Sequence, residues 1–293
     1  MESKNNWKAW LYLAPVIVLM LIFTIYPLVH TIGISFLKNY DYYSNETFFH
    51  SVFKSDGGLT LDNFKQVITY DNFIQYALPN TLIITFVTVP ISIALSLLIA
   101  VGLNSIKKLN KIFQTIFFMP YVTNSIAVGM VFAVIFAGTN GLWNTIFGLG
   151  SKNWIDMNAP RSSAMFALCI YIVWHALPYK ILIFLSGLQN IDKQYYQAAK
   201  IDSASKFKTF MRVTVPLLSP QIMYIAITSF IGSFKEYSSV VAMFKDKKGT
   251  VSANKPNMYT VVYYIYDNIV LYIYLIMIFT ILQRKVAEKR VHY

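Results

Sequence analysis

Residues 197–220 read QAAKIDSASKFKTFMRVTVPLLSP. The stretch is polar and basic, with Lys200, Lys206, Lys208 and Arg212. Runs 162–179 and 213–234, on either side, hold no Asp, Glu, Lys or Arg. Ile191 to Ile201 has helix formers and no breaker. Asp202 is placed to cap a second helix over Ser205 to Val213, because its carboxylate accepts free N–H groups of the next turn. Pro216 is expected to end that helix. The spacing thus predicts helix, turn at Asp202-Ser203-Ala204, helix. Tyr195, Tyr196, Ala198, Ala199 and Ile201 make an apolar face on the first helix, and Phe207, Phe210, Met211 and Thr214 one on the second. A plain connection between helices takes about 2–8 residues. This one is longer, structured and partly apolar, which implies a partner.

The wider composition agrees with two apolar flanks. Of 293 residues, 56% are hydrophobic and 13% charged, where a soluble domain carries about 25%. Runs 9–37, 72–106 and 112–151 are also free of charge. About 20 apolar residues cross a bilayer as a helix. Six crossings are predicted, at 11–36, 80–105, 113–137, 163–187, 217–243 and 259–283. The expected fold class is an all-α integral membrane protein of six transmembrane helices with a cytoplasmic helix-turn-helix. With both termini inside, the cytoplasmic segments hold 14 Lys and Arg against four acids. The external ones hold nine against seven. The positive-inside rule then favours that orientation in a plasma membrane. The net charge of +12 is explained by basic cytoplasmic loops, so no nucleic-acid partner is expected. The first apolar run is too long for a cleaved signal peptide and reads as a retained helix.

Cys169 is the only cysteine, which excludes an internal disulfide and a Cys-based metal site. His30, His50, His175 and His292 lack ligand spacing, so no metal site is expected. No phosphate-binding loop and no nucleophile or zinc-protease motif occurs. If ATP drives this protein, another chain binds it, and no cofactor is expected in this one. The external loop 38–79 mixes acids with Tyr40, Tyr42, Tyr43, Phe48, Phe49, Phe53 and Phe64. Such a loop lies on the outer membrane surface or meets an external partner.

The quoted stretch resembles the coupling loop of permeases in ATP-binding-cassette importers. That family has Glu-Ala-Ala, two variable residues, Asp-Gly-Ala, then Phe eight and Pro fourteen residues after the Asp. Ala198, Ala199, Asp202, Ala204, Phe210 and Pro216 match at that spacing. Gln197 stands where the family has Glu, and Ser203 where it has Gly. A serine is accommodated there if its φ is negative; otherwise it costs roughly 1 kcal/mol. Further matches point to the carbohydrate branch, the maltose and glycerol-phosphate type. They are Pro15 and Tyr26-Pro27, Leu61-Asp62-Asn63-Phe64, Asn80-Thr81, Phe117-Phe118-Met119-Pro120, Gly141-Leu142-Trp143-Asn144 and Ser186-Gly187-Leu188-Gln189-Asn190-Ile191. The C-terminal part departs, with Lys245-Asp246-Lys247-Lys248-Gly249-Thr250 in an external loop. Run 269–282 is too short to span, so either the last helix starts at Tyr259 and includes Asp267, or a segment is missing near 268.

The resemblance implies one permease of an ATP-driven importer for a sugar or oligosaccharide. It implies a second permease, non-identical to judge by Gln197, two ATPase subunits holding ATP and Mg, and an external solute-binding protein. This chain would not itself be an enzyme. Residues 1–78 would form the first helix and long external loop, 79–284 the permease core with its coupling loop at 190–216, and 285–293 a cytoplasmic tail. Gln197, Ala198, Ala199, Asp202, Ser203, Ala204, Phe207, Phe210 and Pro216 would face the ATPase, and Gly141, Trp143, Asn144, Lys247 and Lys248 the binding protein. Polar groups inside spans are costly in lipid and usually face a cavity or a partner. On that ground Asn124, Trp174, Lys180, Lys235, Glu236 and Tyr237 are candidates for the pathway, with Ser125, His175, Ser233 and Asp267 behind them. The competing readings are a self-contained secondary transporter or channel, which predicts internal repeats that are not seen, and a membrane enzyme, which needs a catalytic constellation.

Overall fold

The computed structural model describes residues 6–38, 40, 58–69, 72–106, 110–156, 159–244 and 258–268. The chain divides into two compact units. The first holds the described residues up to Thr69, with Asn268. In it, α1 (Asn6–Met20) runs through a π turn (Leu21–Ile25) into α2 (Tyr26–Ser35). Trp10–Ser35 is apolar along 26 residues, long enough to cross a bilayer at about 1.5 Å per residue. Its large side chains, such as Trp10, Phe23 and Val29, are exposed. The helix α3 (Asp62–Thr69) ties back to the end of α2. Asn63 Nδ2 donates to the carbonyls of Ser35 (3.0 Å) and Leu37 (2.9 Å), which satisfies helix-end acceptors. The Phe36 and Phe64 rings meet at 5.2 Å.

The second unit is built on α4 (Leu78–Ser105) and α8 (Arg161–Gln189). Both are long and apolar enough to span, and they run parallel along each other. At their starts Arg161 Nε and Nη2 donate to Asn80 Oδ1 at 3.0 and 2.7 Å. Near their middles Lys180 Nζ donates to Ser92 Oγ at 2.5 Å. Toward their ends Leu97, Ala100 and Leu103 join Ile181, Phe184, Leu185 and Leu188 in one apolar cluster. The buried face of α4 carries Thr81, Thr85, Thr88, Ser92 and Ser96. Most of these hydroxyls bond back to carbonyls of their own helix, as Thr85 does to Thr81 (2.7 Å). Short side chains satisfied in this way let helices approach closely within a membrane.

Two predicted crossings turn out to be broken. The run 113–137 is α5 (Asn110–Val122) and α6 (Ser125–Ile135), bent by 106° at Thr123-Asn124. The cause is local: Asn124 leaves the helical region (ψ 123°) and its Oδ1 caps α6 by accepting from Ile126 N and Ala127 N. The run 217–243 is α12 (Ser219–Phe234) and α13 (Ser238–Met243), separated at Lys235–Tyr237. There Glu236 Oε1 accepts from Ser239 N (3.0 Å), and Thr260 Oγ1 donates to the Glu236 carbonyl (2.6 Å). Where α6 meets α13, a Cβ on Gly129 would lie 2.3 Å from the Ala242 Cβ, so only glycine fits. The last predicted crossing begins as α14 (Val261–Asn268), and its remainder lies outside the described residues. Among the described residues three helices are long and apolar enough to span, or up to five if the bent pairs Thr115–Val122 with Ser125–Ile135 and Lys206–Leu217 with Ser219–Phe234 each count as one.

Prolines shape the chain in a recurrent way. The π turns Leu21–Ile25, Phe73–Ala77 and Phe210–Thr214 each end two residues before a proline: Pro27, Pro79 and Pro216. Each is sealed by an N–H reaching five residues back, as Tyr26 N does to Leu21 O. Proline lacks the N–H that would serve the carbonyl four residues earlier, and the widened turn falls where that bond is lost.

Candidate functional site

The basic stretch folds as a helix pair. The first helix, α9 (Lys193–Ile201), is capped by Asp192, whose Oδ1 accepts from Gln194 N (2.9 Å). Asp202 closes this helix instead of opening the next, contrary to expectation. Ser205 is the cap of α10 (Lys206–Thr209), accepting from Lys208 N. The reason is Ser203, which adopts φ 51°. A left-handed residue just past a helix end lets the next N–H reach back, and Ala204 N bonds Ala199 O at 2.9 Å. The family's glycine takes this conformation freely, while a serine pays about 1 kcal/mol. Ser203→Gly is therefore expected to stabilise the turn by about 0.5 kcal/mol, because glycine's looser unfolded chain offsets part of the relieved strain. Thermal unfolding in detergent checks it, and an unchanged or lowered midpoint contradicts it.

Pro216 does not end the second helix. The chain passes from α10 through the π turn Phe210–Thr214 into α11 (Val215–Leu217), and α12 leaves at 68°. Tyr196 and Thr214 join the two helices through their hydroxyls (3.3 Å). Ala199, Ala204 and Phe210 are half-buried. Gln197, Ala198, Asp202, Ser203 and Pro216 are exposed. So are large apolar side chains: Ile201 is 84% exposed and Phe207 73%, with Tyr195 and Met211 beside them in sequence. Exposed Lys200, Lys206, Lys208 and Arg212 lie along the same helices. The pair thus offers apolar anchors among cations.

The six pathway candidates make different contacts. Asn124 is exposed, but its carbonyl oxygen caps α6. Trp174 packs on Phe132 at 5.2 Å. Lys180 is 5% exposed and lies between α4 and α8, away from any open face, because Ser92 accepts its amine. Lys235 is exposed at the end of α12. Glu236 secures the start of α13. Tyr237 packs on Tyr263 and Tyr266. Ser233 is held by Thr85 (2.9 Å). The Ser125 carbonyl accepts from Tyr171 (2.7 Å), whose ring neighbours His175. The Asp267 side chain lies outside the described residues.

Three tyrosines also come together. Tyr121 on α5 stacks on Tyr179 of α8 at 5.9 Å and 17°. The Tyr179 hydroxyl meets that of Tyr224 on α12 at 3.2 Å. Tyr121 is 59% exposed and Tyr224 50%. Three tyrosines from three apolar elements thus form an open aromatic and hydroxyl surface. The sequence held one signal for it: Pro120-Tyr121 and Pro178-Tyr179 repeat the same pair inside charge-free runs.

The loop between α6 and α8 is compact. Asn144 of α7 (Leu142–Phe147) is buried, against its expected place at a partner surface. Its Nδ2 donates to Gly138 O (3.0 Å) and Lys152 O (2.8 Å), and its Oδ1 accepts from Trp154 Nε1 (2.7 Å). Gly141 is buried too, since a Cβ there would sit 2.1 Å from Ala137 O. Trp143 is half-buried between Phe136 and Phe147. These residues fold the loop, while Leu142, Ile146 and Phe147 face outward. Lys247 and Lys248 lie outside the described residues. Asn144→Ala strands several buried polar groups and is expected to destabilise the loop by about 2 kcal/mol, which is about thirty-fold faster protease cleavage when opening precedes cutting. Equal cleavage of parent and variant contradicts this.

Among the described residues no group of three His, Cys, Asp or Glu is placed to hold a metal. Comparison with known proteins completes the picture. The permease protein AraP of the arabinooligosaccharides transport system in Halalkalibacterium halodurans is 33% identical over 78% of this chain and 68% of its own length. The permease protein LacF of the lactose transport system in Rhizobium radiobacter is 30% identical over 80% and 74%. The fold is similar to a chain in the crystal structure of a bacterial ABC transporter that imports the acidic polysaccharide alginate. There the TM-score is 0.76 at 16% identity, covering 99% of this chain and 98% of that one. A family profile described as binding-protein-dependent transport system inner membrane component matches residues 92–293. With its apolar spans and basic helix pair, the chain belongs to that family of multi-pass membrane transport components.

Proposed function

We propose that this chain is one permease subunit of an ATP-driven importer that moves a sugar or oligosaccharide handed over by an external binding protein. The observation that carries the reading is the helix pair between α8 and α12. A chain with a transport role that leaves Ile201 and Phe207 in water, among four cations, has a docking face for a soluble partner. That partner is an ATPase pair holding ATP and Mg, paired through a second, non-identical permease, because Gln197 lacks the acid expected of the motif. The termini and the helix pair lie in the cytoplasm, as the distribution of Lys and Arg favours. The helix pair acts as a lever. When the ATPases close, it transmits their motion to α8 and α12, and the spans alternate between outward- and inward-open states about a central site.

The sugar reading is supported by Tyr121, Tyr179 and Tyr224. Tyrosine offers an apolar ring face and a polar tip, which suits the apolar and hydroxyl-bearing sides of a sugar ring. The names of relatives point the same way, to arabinooligosaccharides and lactose. Labelled mono- and oligosaccharides should be given to cells with and without the gene for this chain. Uptake of one sugar class is expected to disappear with the chain. If none depends on it, the sugar reading is wrong.

A further inference from the structure

Pro90 and Pro178 sit inside α4 and α8 without ending them. Each removes a backbone N–H, so the carbonyls of Phe86 and Trp174 lose their usual partners. Both helices are therefore softened near their middles. Two residues past each proline lie Ser92 and Lys180, and these are the residues that bond across the interface. Ser92 Oγ also donates to Val89 O (3.0 Å), the carbonyl just before Pro90. One hydrogen-bonded chain, from Lys180 through Ser92 to Val89, thus ties the weak point of one helix to that of the other.

A lysine is a costly way to fill this place. Ser92 is 1% and Lys180 5% exposed, and no described acid pairs with the amine. An apolar side chain of similar length would pack there without the penalty of burying a charge within a membrane span. The neighbouring residue shows what the bond achieves. Tyr179 points about 100° around the helix from Lys180 and makes both contacts of the tyrosine surface. Any turn of α8 about its axis at the proline moves the two side chains together.

We propose that Lys180 is a positioning residue, whose buried bond to Ser92 fixes the rotation of α8 at Pro178 and so holds Tyr179 against Tyr121 and Tyr224. Its consequence for transport rests on the tyrosines being the sugar contact; its structural half does not.

Cys169 is the only cysteine, so Cys169→Ser gives a clean background. Tyr121→Cys and Tyr179→Cys are added to it, and the full chain in its native membrane is treated with a short bifunctional thiol reagent. Lys180→Met is expected to slow cross-linking about ten-fold, as loss of one charge-assisted hydrogen bond would. Ser92→Ala should slow it comparably, and the double variant no further, because both remove the same bond. Ser92→Thr keeps the hydroxyl and should restore the parent rate, which a general loss of packing would not. Where Lys180→Met does not accumulate in the membrane, the Ser92 pair carries the test. Parent-like cross-linking in Ser92→Ala, or additive effects in the double variant, overturns the proposal. The sugar reading is tested apart from this, by Tyr179→Ala in uptake; its failure leaves the cross-linking result standing.

Discussion

Phe207→Asp is expected to reduce ATP-driven uptake by about two orders of magnitude while leaving the chain in the membrane. Phe207 is 73% exposed on α10, so its own fold gains little from the ring. Its value lies in what covers it. A large aromatic anchor buried by a partner is commonly worth 2 kcal/mol or more. An aspartate in its place leaves a buried charge without a partner in a closed interface. Levels of membrane-inserted chain should match the parent, because none of the apolar spans is touched. The check is ATP hydrolysis and uptake by the reconstituted assembly at equal protein. Parent-like stimulation of hydrolysis by Phe207→Asp would show that the exposed face of the helix pair is not the docking surface.

Tyr179→Ala is the second large effect expected. It removes the ring that stacks on Tyr121 and the hydroxyl that meets Tyr224. Loss of an aromatic contact and its polar tip costs a few kcal/mol, so the sugar concentration for half-maximal uptake should rise about ten- to a hundred-fold. Tyr179→Phe keeps the ring and loses one hydroxyl contact, so its rise should be about three- to ten-fold. A concentration series of the transported sugar with both variants measures the split. Equal, parent-like values for the two would remove the tyrosines from the pathway.

The features that were legible in the chain are those written in charge and spacing. Five runs without charge place it in a membrane, since only apolar helices satisfy their own backbone there. Ala198, Asp202, Phe210 and Pro216 place a helix pair between two of them. The breaks were not legible. Asn124 lies in a charge-free run, and between Thr123 and Ser125 it reads as a pathway group; only its backbone angles reveal a cap. Asp202 and Ser205 are equally able caps by composition, and the left-handed Ser203 between them decides which one serves. Asn144 and Gly141 illustrate a similar ambiguity. A motif at a loop tip suggests contact with a partner, yet both are consumed in folding the loop. The tyrosine surface is hidden in the sequence for another reason. Its members are 45 or more residues apart in sequence, and their one trace there is the Pro-Tyr pair repeated at 120–121 and 178–179.

This permease is expected to move its substrate only when an ATPase pushes on the helix pair. The direct measurement is sugar uptake into proteoliposomes, comparing this chain alone with the chain copurified with its partners, each with and without ATP inside or outside the vesicle. Uptake is expected only by the copurified assembly, only with ATP on the side of the helix pair, and is expected to be lost in Phe207→Asp. Full uptake by the isolated chain in vesicles without ATP would contradict it.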